Sequence, residues 1–149
     1  MALLQVQAVT DALNSSDWIF PAAECFHIAA FALSIGMIAL VDLRLLGVGM
    51  RRQTAAQIVR DTEPWSIFGL AIVLLSGPVL FLSDPRMYLR NESFRFKMTM
   101  LLLAIVYNYT IRRKVALSNS PPIVAKLVGA LSLVLWLSVL AGGIFIAFA

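Results

Sequence analysis

The sequence has a single cysteine, Cys25, and a single histidine, His27. A lone cysteine closes no disulfide within the chain, and no Cys/His cluster has zinc-ligand spacing, so neither a crosslink nor a structural metal is expected to hold the fold. Charge is also scarce: 13% of the residues are Asp, Glu, Lys or Arg, while 60% are hydrophobic and the mean hydropathy is +0.87. A soluble globule needs a more polar surface than this composition supplies. Lys and Arg number 12 against 8 acids, for a net charge of +4. These bases are scattered between apolar segments and massed on no face, which argues against a nucleic-acid partner and for membrane topology. Gly-x-Ser-x-Gly, His-Glu-x-x-His and phosphate-cradling glycine loops are missing, and one histidine leaves no triad to assemble, so no catalytic residue is assigned.

What is present is a set of long uncharged runs. Residues 64–83 and 127–149 carry no charge, and each run is long enough to cross a hydrocarbon core of about 30 Å at roughly 1.5 Å per helical residue. Residues 25–41 form a third run, extended outward by Trp18, Ile19 and Phe20 and inward by Leu43, Leu45 and Leu46. A fourth lies between Lys97 and Arg112; it spans if Phe94 and Phe96 enter the lipid while the two flanking cations snorkel. Residues 1–149 are therefore read as one all-α integral membrane domain, a four-helix bundle in the lipid bilayer. Its spans fall at 18–46, 65–82, 94–111 and 123–148, helical because an open sheet cannot satisfy its backbone in lipid. Ser118 to Pro122 breaks the chain between the last two spans.

Eight of the bases (Arg44, Arg51, Arg52, Arg60, Arg112, Arg113, Lys114 and Lys126) lie in the first and third connections. Arg86, Arg90, Arg95 and Lys97 lie in the second. The imbalance places both termini outside, periplasmic in a bacterial inner membrane. Met1 to Leu13 lacks the basic start of a cleavable signal peptide. Leu3, Leu4, Val6, Val9 and Leu13 share one face, which predicts a short interfacial helix on the outer leaflet. Asn14 to Asp17 then offer a turn and an N-cap for the first span, whose first turn tolerates Pro21.

Ionisable groups inside lipid are costly and become the first functional candidates. With His27 at zero and about 100° per residue, Glu24 and Asp42 fall near 60° and Ser34 near −20°, so the four share a stripe that should face the interior. In depth, Glu24 and His27 are level with Lys97 to Leu101, with Gly77 and Pro78, and with Gly142 and Gly143. This layer predicts a ligand pocket open to the outer side, built from Glu24, His27, Gly77, Lys97 and Met100; alternatively Glu24 and Lys97 form an internal pair that sets which helix faces which. Toward the inner end, Asp42 pairing with Arg112 or bonding Asn108, beside Arg44, would lock the helix ends as a structural polar set. An imidazole in a membrane helix can hold haem b iron, with Met98, Met100 or the His27 of a second copy as the other ligand. Glu24-x-x-His27 has the spacing of half a di-iron site, but the remaining acids are missing. Only Ser34 lies between Asp42 and His27, so no proton path is expected.

The string Val41-Asp42-Leu43-Arg44-Leu45-Leu46-Gly47, with His27-Ile-Ala-Ala-Phe-Ala-Leu-Ser-Ile-Gly36 before it, resembles the first helix of an uncharacterised bacterial family of small four-helix membrane proteins. Trp65, Gly69, Ser76-Gly77, Phe94-x-x-Lys97, Asn108 and Leu131-Ser132-Leu133-x-x-Trp136 extend the likeness over nearly the whole chain from Trp18. More distantly it is similar to the copper-resistance D group of haem-type membrane proteins. The resemblance implies a fold more than an activity. It departs where members carry a His after the span-three Asn, here Arg112 and Arg113, and an Arg in the terminal Ala-Gly pattern, here Ala141-Gly142-Gly143. Three functions are expected in turn: binding of haem or another redox-associated ligand at His27; a non-catalytic subunit of a homo-oligomer or larger membrane complex; and a small-solute transporter, for which only Gly77-Pro78 offers a broken helix.

Overall fold

The computed structural model describes residues 1–148, without the side chains of Ala2 and Leu3; the Leu3 position of the amphipathic face therefore lies outside the described residues. All regular elements among the described residues are helical: α1 (Ala2–Asn14), α2 (Ile19–Leu46), α3 (Ala55–Ser83), α4 (Pro85–Arg90), α5 (Glu92–Tyr107), a π-helical segment (Asn108–Arg112), α6 (Arg113–Leu117) and α7 (Pro122–Ile146). Three of them, α2, α3 and α7, are long and apolar enough to cross a membrane.

Local chemistry sets the ends. Gly47 stops α2 in the left-handed region at φ 80°, where its N–H reaches Arg44 O and that of Val48 reaches Leu43 O, closing the helix as glycine does without a Cβ penalty. α3 opens earlier than the predicted span, at a capping box: Thr54 Oγ1 accepts from Gln57 N–H at 3.2 Å while Gln57 Oε1 accepts from Thr54 N–H at 2.9 Å. Pro64 and Pro78 lie within α3. The N-cap expected from Asn14 to Asp17 is not formed. α2 starts after Trp18, which has no side-chain oxygen to cap it, and Asn14 turns instead to α3 and donates to Ser83 O at 3.1 Å. Thr10 Oγ1 likewise donates to Leu82 O at 2.7 Å, so α1 satisfies carbonyls at the C-terminus of α3.

The third predicted span is not a plain helix ending at Ile111. Helical segments of sixteen, five and five residues follow one another from Glu92 to Leu117. The middle one is widened by bonds such as Arg113 N–H to Asn108 O. Asn91 starts this helix by accepting from Phe94 N–H, and its amide donates to Ile146 O at 3.2 Å, tying the start of α5 to the end of α7.

α2 is central, packed on α3 and α7; α5 packs on α7, and α6 returns to α3. We call the end holding α1 and the end of α7 the terminal end, and the other, with the 47–54 and 118–121 connections, the basic end. Close approach depends on glycine. A Cβ on Gly69 would lie 2.6 Å from Ala30 O, and one on Gly129 would lie 2.9 Å from Asp42 O and from Leu45 Cβ, as in other bundles whose seams are lined by small residues. Ile38, Leu70, Val73, Leu101, Trp136 and Val139 fill the core. Phe26, Phe68, Leu75, Leu102, Leu127 and Phe145 are exposed, an outward apolar surface that suits hydrocarbon. At the terminal end Phe81, Tyr88 and Phe94 bridge α3, α4 and α5, their ring centroids 5.3–6.1 Å apart.

Candidate functional site

Toward the basic end, Asp42 is 0% and Arg112 4% exposed. Arg112 Nε donates to Asp42 Oδ1 at 2.5 Å and Nη2 to Ile38 O at 2.7 Å; Ser132 Oγ donates to Asp42 Oδ2 at 2.7 Å. Both carboxylate oxygens are thus bonded, which is the condition for a buried pair to be tolerated. The node joins α2, the π segment and α7. Asn108 does not bond Asp42, contrary to the second of the two sequence expectations. Its Oδ1 has no partner, and neither do the buried Tyr109 OH and Trp136 Nε1. Ser34 Oγ donates to Ser66 O at 2.9 Å, pinning α2 to α3. Arg44 stands apart from the node and donates to Gln53 O at 2.7 Å in the following loop. Arg113, one residue after Arg112, turns the other way to Glu63 at 2.6 Å.

The layer near the terminal end is arranged differently from the sequence expectation. His27 Nδ1 lies 2.7 Å from Ser76 Oγ, and Ser76 Oγ lies 2.7 Å from Ile72 O. Ile72 O can only accept, so the serine proton goes there and Nδ1 must carry the proton of the first contact. With the serine proton donated to Ile72 O, a neutral imidazole takes the Nδ1–H tautomer, with its lone pair at Nε2. Gly77 packs beside it: a Cβ there would lie 3.8 Å from His27 Cε1.

Lys97 does not pair with Glu24. Its Cβ and Cα abut Gly142, its chain runs past Gly143, and Nζ lies 5.7 Å from the centroid of the Phe31 ring, a cation–π contact. Glu24 is exposed, and its charge acts on Tyr88. Burial first, then Glu24 and Asp84, push the Tyr88 phenol above its ordinary value of 10.0. Met100 packs against the core cluster, and Met98 is exposed. The layer thus brings His27 to Gly77 and Lys97 to Phe31, and leaves Glu24 and Met100 outside both contacts.

Two hollows occur elsewhere. A crevice of about 10 Å³ near the basic end is lined by residues that include Glu63, Asn108, Tyr109, Arg112 and Arg113. An open recess of about 430 Å³ lies between α5 and α7, against Phe96, Gly142 and Phe145. Neither is lined by Glu24, His27, Gly77, Lys97 or Met100. No group of three His, Cys, Asp or Glu side chains that could hold a metal ion occurs among the described residues. The sequence assigns no site role to Ser76, Glu63, Arg113 or Tyr109; Ser76 sits beside Gly77 in the predicted layer, and that adjacency is the available signal.

Described elements that are all helical, three of them long and apolar enough to cross a membrane, mark a membrane protein. The chain is a member of a family of unknown function (DUF6644), whose model matches residues 19–149. No curated protein and no solved structure matches it, and nothing in these comparisons ties it to the copper-resistance D group.

Proposed function

We propose that this is a four-span protein of a bacterial inner membrane, with both termini outside, that binds a redox-associated ligand such as haem b through His27. The fourth span is the helix from Glu92 to Leu117. Its apolar part is flanked by Lys97 and Arg112, and its continuity through the π segment supports a crossing. The excess of Lys and Arg in the connections at the basic end supports the orientation.

The observation that carries the ligand reading is the contact of His27 Nδ1 with Ser76 Oγ, which favours the Nδ1–H tautomer of the neutral ring. Metal-ligating imidazoles characteristically donate their other N–H to a second group, which orients the ring and raises the basicity of the coordinating nitrogen. Ser76 fills that role here, at 2.7 Å. His27 is half-buried, so Nε2 can meet a ligand that enters from the lipid or from a second copy of the chain. Haem bound there would supply one-electron chemistry; the protein's part is to present Nε2 and, through Ser76, to place the proton of the neutral ring on Nδ1. Haem b added to the detergent-purified protein should give a Soret band that is lost in His27→Ala. A protein that stays spectrally unchanged on titration would overturn this reading.

A second reading, a non-catalytic subunit of a larger membrane complex, is favoured by the Asp42–Arg112–Ser132 node, which commits the innermost polar groups to holding the helices together. Copurification of one defined partner with a colourless protein would support it.

A further inference from the structure

The π segment carries two polar groups that the ion pair does not use. Asn108 is 2% exposed, and both its Oδ1 and the hydroxyl of Tyr109 are buried without a protein partner. Each line the same crevice, whose other walls come from α2 through Met37, Ile38 and Val41 and from α3 through Val59, Thr62 and Ser66. Two buried polar atoms left bare cost far more than two that are bonded, and here both belong to residues that line one hollow. We propose that the crevice is an internal water site, with the water donating to Asn108 Oδ1 and accepting from Tyr109 OH.

The size and chemistry of the hollow select the occupant. Its volume of about 10 Å³ corresponds to roughly one probe sphere, the least space that holds a water and too little for an organic solute. A cation is opposed by Arg112 and Arg113, both of which line it. An anion would meet Glu63 at the same wall. The remaining hydroxyls are already donors to their own helix, Thr62 to Ile58 O at 2.7 Å and Ser66 to Glu63 O at 3.0 Å, and so offer only lone pairs. Arg112 commits Nε to Asp42 and Nη2 to Ile38 O, which leaves Nη1 to donate as well. Acceptors and donors together match a molecule that does both.

The crevice is partly open, with Glu63 and Arg113 on its wall. Glu63 and Arg113 meet at 2.6 Å across α3 and α6 and are partly solvent-accessible; such pairs are weak. Water entering there reaches the guanidinium of Arg112 and hydrates the π segment from the basic end. The site is separate from His27 and stands whether or not that residue binds a ligand.

Radiolytic hydroxyl-radical labelling tests this, because radicals formed from a bound water modify the side chain beside it. In the detergent-purified protein Tyr109 should be labelled at a rate comparable with exposed Trp65, although its hydroxyl is buried. In Asn108→Leu the Tyr109 rate should fall several-fold while that of Trp65 is unchanged. Absent labelling of Tyr109 in the wild-type protein, or an unchanged rate in Asn108→Leu, would overturn the proposal. Tyr109→Phe gives a second reading that does not need Asn108→Leu to fold. Removing a hydroxyl bonded to water should lower the thermal midpoint, whereas removing one from a dry cavity should raise it and refute the site.

Discussion

Arg112 Nε lies 2.5 Å from Asp42 Oδ1, and neither side chain is more than 5% exposed. Arg112 comes from the last residue of the π segment, Asp42 from the final turns of α2. The extra residue per turn alters which side chains the helix turns inward beyond Asn108. Arg112 therefore points at α2 while its neighbour Arg113 points at α3. The two consecutive arginines fasten this helix to two different partners, and only the first is buried.

This arrangement predicts a thermodynamic asymmetry. Asp42→Leu or Arg112→Met alone strands a buried charge and should cost about 3–5 kcal/mol. The double variant Asp42→Leu/Arg112→Met should recover most of that loss, because an apolar pair removes both charges and leaves only the neutral Ser132 hydroxyl and Ile38 O without these partners. Unfolding in a denaturant series in micelles, analysed as a double-mutant cycle, measures the coupling. Additive losses would show that the pair contributes no mutual stabilisation.

The seam between α2 and α3 gives a steric prediction. Gly69→Ala places a methyl 2.6 Å from Ala30 O, a backbone atom that cannot move aside alone. The helices must separate, which also stretches the bond from Ser34 to Ser66 O at 2.9 Å. A loss of about 1–3 kcal/mol is expected from overpacking of this kind. Gly36→Ala is the control, since a Cβ there meets nothing within 4 Å; it should be neutral or slightly stabilising, because alanine is the better helix former. Equal thermal midpoints for the two variants would contradict the close-approach account.

The spans were legible where the signal was length without charge. Residues 64–83 and 127–146 of the uncharged stretches lie in α3 and α7, because in lipid the backbone must satisfy itself and a helix is the economical way. The stripe of Ser34 and Asp42 was equally legible, since helical angle alone puts both on the buried side. Glu24 shows the limit of that argument: at the same angle as Asp42 but one turn into the helix, it sits at the bundle's end and faces outward. Angle reports a face, and only packing reports whether a neighbour covers it. The π segment was illegible, for one widened turn leaves no mark on periodicity. So was the length of α3, because the capping box at Thr54 lies in a charged stretch that hydropathy discards.

Tyr88 supplies a pH-dependent test of where Glu24 sits. Burial is the larger cause of the raised phenol and the charges of Glu24 and Asp84 add to it. The neutral phenol is favoured in the fold, so its contribution is complete below the unfolded value near 10 and is lost as pH rises through the higher folded value. Glu24→Gln should lower the Tyr88 midpoint without restoring the ordinary one. The chain has three tyrosines, so the titration is read as the 295 nm difference between each protein and its Tyr88→Phe counterpart. A Tyr88 midpoint insensitive to Glu24→Gln would separate the two groups.

The last prediction concerns the ring on which the proposed function depends, and it needs no ligand. Because His27 is the only histidine, a sample labelled with 15N at histidine gives a single imidazole, whose two nitrogens report the tautomer directly. Two contacts of 2.7 Å share Ser76 Oγ, and only one assignment of hydrogens satisfies both: Ser76 donates to Ile72 O and His27 Nδ1–H donates to Ser76. At a pH where the ring is neutral, the wild-type spectrum should show a protonated Nδ1 and a bare Nε2. Ser76→Ala removes the acceptor and should shift the ring toward the Nε2–H form, the intrinsically preferred one for a free imidazole. If a ligand does coordinate Nε2, the same variant should weaken it by roughly 10–100-fold, the usual effect of losing the group that orients a ligating histidine. A wild-type ring already protonated at Nε2 would remove the reason for assigning His27 a ligand at all.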